Sequence, residues 1–597
     1  MINVTPRYRE ACKSNIRKSY ITAKFGIFDN EAKKLITVAQ SSNMKPFVDL
    51  SDTYDEIREN AKNYISNEPN RVKLDGSFVF IQNKSSHNNL QNTGYWSSLI
   101  SNGDKTFTTN PKITYTLSKP IEFIDLTLYF QEVVSDFNVY YYLDDALKVL
   151  RVVTNNKKLI VETKGDPQPF YFNKIEIEFV KTGVPRRFIK LNEIDFGYYT
   201  IISKDQISSL DIIEEISVDS SEIISKSMTL GIKDNKGEYD ILNPYNNLKY
   251  LKEKQELNIY HNLEVGTLNQ EILLGTYMIK SFNNEPKKLL IECYDNLYFM
   301  NKVYYNGKYY VNEPISNVVE DLFNYFGYPQ NKYEIDKEDS VLLSKTISGY
   351  IPIVEFKEAL RLICESVCAV VKTTRDGKIF IFRNIGNSVK LFTQSEIKNS
   401  QPQNNIFNSV VEINEYTYVQ QNDVPVEIYK STLKKGINYI VFAKAPINYP
   451  LYKNNINGIK YGDTDKYNII DLGASACTIE VLTDTANVIL KAIVLEPVTN
   501  SKKYYKNENE EVDEFSIATV DNTLISSSNS QEVANWKLNR GLMTYSFECN
   551  STPYLEVGDK CKYELPYRDI SGNIIKRDFM ITKLEFGLGI TQNVGGE

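Results

Sequence analysis

The sequence predicts a multi-domain, mainly β protein with one small α/β module. Three observations carry that prediction. Tyrosine and phenylalanine number 42 and 28 against 2 tryptophans and 7 methionines, and aromatic and β-branched side chains fit pleated, half-buried surfaces. Apolar residues alternate with polar ones at period two over most of the chain. Helical periodicity is strong only between residues 315 and 371. At 597 residues the chain is too long for one hydrophobic core, and three to five domains are expected.

Residues 1–75 mix short strand signals (YITAKFGIF, 20–28) with a short helix expected near 54–64. From 76 to 197 strands and turns alternate. In DLTLYF (125–130), Leu126, Leu128 and Phe130 share one face, and in KIEIEFV (174–180), Ile175, Ile177 and Phe179 do. NGD (102–104), KGDPQP (164–169) and TGVP (182–185) supply turns, and such spacing suggests a sandwich. Residues 198–300 read as further strands: ELNIYHNL, EILLGTYMIKSF and KKLLIECYDNL, after a turn at NKG (235–237). In ISNVVEDLFNYFG, Ile315, Val318, Val319, Leu322, Phe323 and Phe326 form one helical stripe, stopped by Gly327 and Pro329. A second helix is expected over roughly 354–371, with Phe356, Ala359, Leu360, Ile363 and Val367 inward and Cys364 and Cys368 bordering that face. The turn RDG (375–377) leads into the strand KIFIF. The remainder is β, apart from a short helix near 530–538 and the acidic run NENEEVDEF (507–515), read as a solvated loop.

Composition narrows function. A net charge of −7 disfavours a general nucleic-acid surface. Seven cysteines at irregular spacings imply no disulfide framework and fit folding in a reducing cytoplasm. The first 20 residues carry no apolar stretch of the signal-peptide kind, and no run of 18 apolar residues predicts a membrane span. Cys364 and Cys368 lack further ligands nearby, so packing is preferred to a metal or redox site. His87 and His261 are the only histidines; neither has a motif partner, and both are expected at the surface. Nucleotide-binding loops are absent, and DNKGEYD (234–240) fails the calcium-loop spacing. The acidic stretches YLDD (142–145) and DKEDS (336–340) are taken as solvated loops rather than catalytic pairs. The expectation is a protein with no catalytic residues, no metal and no cofactor.

Two resemblances follow from particular stretches. GYWSSLISNGDKTF (94–107), KITYTLSKPIEFIDLTLYF (112–130), FNVYYYLDD (137–145) and PRRFIKLNEIDFG (185–197) resemble the galactose-binding-like jelly roll of discoidin domains and carbohydrate-binding modules. SSEIISKSMTLGIKDNKGEYDILNPYN (220–246), EILLGTYMIKSFNNEPKKLLIECYDNL (271–297), ISGYIPIVEFKEALRLICESVCAVVKTTRDGKIFIFR (347–383), SNSQEVANWKLN (528–539), STPYLEVGDKCKYEL (551–565) and FMITKLEFGLG (579–589) resemble the tail hub of bacteriophages. The second resemblance implies β-barrel-like hub domains in a homotrimer at the virion tail tip, a baseplate structural protein assembled in the host bacterial cytoplasm. Its partners would be the tail tube and the distal tail, fibre or spike proteins. This sequence departs from some relatives in ending soon after the last barrel-like stretch, without their fibrous or peptidase extension, so an intrinsic wall-degrading role is not expected. The expected domains are 1–75 with 198–300, the inserted sandwich 76–197, the α/β module 301–395 and a closing β domain 396–597.

The sandwich resemblance implies a glycan on the host surface as a further partner. Tyr95, Trp96, Asp104, Arg186 and Arg187 are the candidate contacts, aromatic faces stacking on sugar rings and polar groups converging from loops. The alternative for the same residues is structural: Trp96 in the core, Arg186 and Arg187 in surface ion pairs. A stand-alone carbohydrate-binding adhesin and a glycoside hydrolase with an accessory module are the competing functions.

Overall fold

The computed structural model describes the chain except residues 1, 15–16, 29, 47, 55–67, 70–93, 123–125, 164–169, 236, 238, 241–242, 244–250, 266–267, 286, 303, 384–385, 402, 405–408, 421–422, 453–461, 507–516, 540–542 and 590. The expected helix near 54–64 falls largely outside the described residues, as do His87, KGDPQP and the acidic run. The protein is mainly β. It divides into two compact units: residues 24–201 with 241–255, and residues 1–23, 202–240 and 256–597. No helix among the described residues is long and apolar enough to cross a membrane.

The first unit is an antiparallel sandwich. One sheet has five strands in the order Ile36–Gln40, Lys112–Glu122, Tyr171–Thr182, Val134–Leu143, Ala146–Val153. In the other, Phe188–Ile202 pairs with Tyr95–Ile100 and with Leu126–Phe130, which in turn pairs with Ile160–Glu162. The period-two residues fill the space between the sheets: Ile113 and Tyr115, Phe137 and Val139, Ile175, Ile177 and Phe179 from one side, Leu126, Leu128, Leu191 and Ile194 from the other. Rings interlock there, Phe130 against Phe137 at 5.6 Å and Tyr95 against Phe179 at 5.9 Å. The acidic pair of YLDD forms the two-residue turn between Val134–Leu143 and Ala146–Val153. Asp144 and Asp145 both take positive φ (48° and 64°) there, the twist a tight hairpin needs.

In the second unit eight strands follow one another antiparallel: Glu256–Val265, Leu268–Glu285, Lys288–Tyr294, Ser227–Lys233, Ile207–Glu215, Ile574–Gly587, Thr591–Gly596 and Met543–Asn550. The α/β module combines the hairpin Tyr304–Pro314/Thr346–Glu355, the helices Ile315–Tyr325 and Phe356–Ser366, and a small sheet of Tyr333–Ile335, Ile379–Phe382 and Val370–Thr373. Ile315, Val318, Val319, Leu322 and Phe323 are all buried, as their spacing requires. A further sheet is built on the 30-residue strand Ala476–Tyr505, with helix Ser530–Leu538 packed beside it.

The second helix of the module is shorter than its periodicity suggests. It ends at Ser366, and Cys368 takes a left-handed conformation (φ 57°) beyond it. The Cys368 N–H donates to the Glu365 carbonyl at 3.3 Å and the Ala369 N–H to Cys364 at 2.9 Å. That bond pair closes a helix end, and Val370–Thr373 begins at once as a strand. Both cysteines are nonetheless buried, and burial pushes both thiols upward, Cys368 to about 12.

Candidate glycan site and buried charge networks

The five candidate glycan contacts separate into two groups. Tyr95 and Trp96 begin the strand Tyr95–Ile100 and point to opposite faces of its sheet. Tyr95 lies between the sheets, its hydroxyl donating to the Asn43 carbonyl at 2.8 Å, and burial holds its phenol well above the usual range. Trp96 lies on the outer face of the sheet but is only 1% exposed. The segment that follows Ile36–Gln40 covers it: the Lys45 N–H donates to the Trp96 carbonyl at 2.9 Å, and Lys45 Nζ sits 4.2 Å from the Phe188 ring centroid. Lys190 Nζ lies 4.3 Å from the Trp96 ring centroid. Neither ring offers an open face to a sugar.

Asp104, Arg186 and Arg187 come together instead at one end of the sandwich. The turns that carry them are tied through Ser101. Its N–H donates to the Arg187 carbonyl at 2.9 Å, and its hydroxyl accepts from the Arg187 N–H at 3.0 Å and from Thr182 at 2.9 Å. Asp104 is exposed and accepts from the Thr106 hydroxyl at 2.7 Å and the Thr106 N–H at 3.1 Å, which lowers its carboxyl. Arg186 is exposed at φ 56°. Arg187 is half-buried, its Nε 3.2 Å from Glu132.

What sequence reading did not find is a set of buried ion pairs. Beneath the same covering segment, Lys33 Nζ lies 2.6 Å from both Glu193 and Asp195, with all three residues buried. Lys190 pairs with Glu68, which also accepts the Phe188 N–H at 2.9 Å. In the second unit Arg375, expected as a turn residue, is buried. Its Nε meets Glu214 at 3.2 Å, its Nη2 donates to the Leu555 carbonyl at 2.7 Å and its Nη1 to Pro553, with the Phe586 ring 5.5 Å away. Lys226 reaches the same Glu214 at 3.6 Å, and burial lowers its ammonium. Asp295 accepts the Lys226 N–H at 3.0 Å, while burial raises its carboxyl. The DKEDS stretch contributes likewise: Asp339 is buried, caps Ser340–Leu343 through the N–H groups of Val341 and Leu342, and binds Arg383 at 2.6 Å. Only Lys190, Glu193 and Asp195 lie on the polar phase of a strand, which reads as solvent-facing until another layer is known to cover it; Lys33, Arg375 and Asp339 lie in a helix, a turn and a helix cap, where alternation says nothing of burial.

His261 overturns its expected surface position. It is buried on strand Glu256–Val265, its Nδ1 3.0 Å from the hydroxyl of Tyr8 on helix Pro6–Lys13. Burial, with Arg17 and Arg375 adding repulsion, lowers the imidazole from 6.5 to about 3. Above about pH 6.5 it is neutral folded and unfolded, and its titration contributes nothing. As pH falls from there toward 3, the unfolded chain takes up a proton that the folded one refuses, so stability declines over that window. His261→Gln keeps an acceptor for Tyr8 and cannot titrate. Its denaturation midpoint falls less steeply between pH 6.5 and 3 than that of the wild type; parallel declines would remove His261 as a cause.

No family model matches the chain, and no curated protein matches it. The chain is similar in structure to phage tail proteins. One is the 43 kDa tail protein of prophage MuSo2 from Shewanella oneidensis, at 9% identity over 67% of this chain and 95% of that one, with a TM-score of 0.36. A second is the tail protein from Neisseria meningitidis MC58, at 12% identity over 66% and 92% of the two chains, with a TM-score of 0.36. The chain is also similar to a protein of another kind, the family 32 carbohydrate-binding module of NanJ from C. perfringens in complex with galactose, over 30% of this chain and 99% of that one, at 11% identity and a TM-score of 0.18. Among the described residues no group of three or more His, Cys, Asp or Glu side chains is placed to hold a metal ion.

Proposed function

We propose that this protein is a structural, non-enzymatic component of a phage tail tip, a baseplate hub joining the tail tube to distal receptor-binding or spike proteins. In this reading it is assembled as a homotrimer in the host cytoplasm. One observation carries the reading. Apart from residues 241–246, the stretches that resemble the tail hub all fall in one compact unit, and the stretch that resembles the galactose-binding-like sandwich falls in the other. Two resemblances drawn from sequence thus separate along the physical division of the chain. The use of buried charge supports the same role, because Arg375, Glu214 and Lys226 spend their bonding capacity joining distant chain segments.

Light scattering on the purified protein, with electron microscopy, tests the assembly: a threefold ring is the expected result, and a stable monomer that never assembles at any concentration overturns it. A glycan-binding module is the second part of the reading. It assigns the ligand to Asp104, Arg186 and Arg187, with Tyr95 and Trp96 buried in the fold as structural residues. Arg186→Ala would then weaken binding on a glycan array, and Trp96→Phe would act on stability alone.

A further inference from the structure

The sequence contains the dipeptide Asn-Gly at Asn102–Gly103, Asn306–Gly307 and Asn457–Gly458, the last outside the described residues. The pairing matters chemically. The backbone nitrogen that follows an asparagine can attack its side-chain amide, and a glycine there brings no Cβ to obstruct the approach. The first two pairs stand in opposite surroundings. Asn102 and Gly103 are both exposed, in the loop between Tyr95–Ile100 and Lys112–Glu122. Backbone bonds close this turn around them: the Asn102 N–H donates to the Thr106 carbonyl at 2.8 Å, and the Asn102 carbonyl accepts the Lys105 N–H at 3.1 Å. Neither the Asn102 side-chain amide nor the Gly103 N–H makes a hydrogen bond among the described residues. The space beside Gly103 is open, with no atom beyond the adjoining residues within 4 Å of where a Cβ would stand.

Asn306–Gly307 is the converse. Asn306 is buried within the strand Tyr304–Pro314. Its Nδ2 donates to Asp471 at 2.8 Å and its carbonyl accepts the Ser475 N–H at 3.2 Å. Gly307 is packed as tightly, since a Cβ there would stand 2.6 Å from Ser475 Oγ. The Asn306 amide would have to leave Asp471, inside a packed strand, before it could meet the next nitrogen.

We propose that Asn102 is a site of spontaneous deamidation, at which the side-chain amide is exchanged for a carboxylate. Base takes the Gly103 N–H proton, and that nitrogen attacks Asn102 Cγ. A C–N bond forms, the Cγ–Nδ2 bond breaks, and the amide nitrogen leaves as ammonia, carrying the proton with it. The product is a cyclic imide. Water opens it at Cγ to give aspartate, or at the backbone carbonyl carbon of residue 102 to give isoaspartate, so water is the only co-reactant. Either product puts a new carboxylate two residues before Asp104, on the loop that meets Arg186 and Arg187. The isoaspartyl form also lengthens the backbone of the turn that Lys105 and Thr106 close. The inference concerns this loop alone and holds whether or not that end of the sandwich takes a glycan.

The test is incubation of the purified full chain in mildly alkaline buffer, with peptide mass spectrometry at intervals. The peptide containing Asn102 gains the mass difference between an amide and an acid and splits into aspartyl and isoaspartyl forms. The peptide containing Asn306, from the same sample, stays unchanged. Gly103→Ala slows the conversion of Asn102 at least about tenfold, because a Cβ crowds the attacking nitrogen. The variant folds, since the space is open and Gly103 is not in the left-handed region. In urea, where the fold no longer protects either residue, Asn102 and Asn306 convert alike. An Asn102 that stays intact in the native chain overturns the proposal. So does an Asn306 that converts as fast in the folded chain, a Gly103→Ala rate equal to that of the wild type, or a difference between the two asparagines that survives in urea.

Discussion

Arg375→Met destabilises the unit containing residues 202–240 and 256–597 by about 3–5 kcal/mol, the range for removing one partner of a buried ion pair. The guanidinium holds three groups together at once. Without it Glu214 keeps only the more distant Lys226, at 3.6 Å, and the Pro553 and Leu555 carbonyls lose their donor. Methionine fills much of the space and answers none of these groups. Arg375→Lys keeps the charge but lacks the planar fork, so it falls between the variant and the wild type. Hydrogen exchange of peptides spanning 207–215 and 551–559 reads the effect where it arises. Exchange within about 1 kcal/mol of the wild type in Arg375→Met would show that the network is ornamental.

Lys33→Met is the second large effect, expected in the sandwich unit and also of about 3–5 kcal/mol. Two carboxylates, Glu193 and Asp195, would face each other's charge under the covering segment with no cation between them. The physical claim is that the loss comes from stranded charge and not from lost packing. Adding Glu193→Gln and Asp195→Asn to Lys33→Met should therefore recover most of the stability. Hydrogen exchange over 188–196 separates the two causes: a triple variant as unstable as the single one would assign the loss to packing.

Some of this architecture could be read directly from residue order. The alternation of Ile175, Ile177 and Phe179 fixed which side chains meet the opposite sheet, and all three are fully buried. The stripe from Ile315 to Phe323 and the helix Ser530–Leu538 were equally legible, because local periodicity dictates which residues share a face. The burial of Cys364 and Cys368 followed from the same reasoning, although the helix ends before Cys368. A left-handed turn there leads straight into a strand, and periodicity does not report where a helix stops.

The candidate site was less legible, for one reason. Trp96 had two readings in the sequence, a sugar contact or a core anchor, and what decides between them lies far away in the chain: residue 45, bonded to its carbonyl, and residue 68, paired with the lysine over its ring. Glu193 and Asp195 sit on the polar phase of their strand and are buried by segments distant in sequence, whereas Glu214 and His261 stand in phase with Leu210 and Ile212 and with Leu257, Ile259 and Leu263, so their own strand alternation already pointed inward. Sequence by itself determined the mainly β character, the strand phases and the helical stripes, since each is set by neighbours a few residues apart. Tertiary structure alone decided which faces are covered, and so which charges must be paired and which aromatic rings are out of reach of a ligand. Covering a face takes a second layer, and no local pattern specifies what that layer will be.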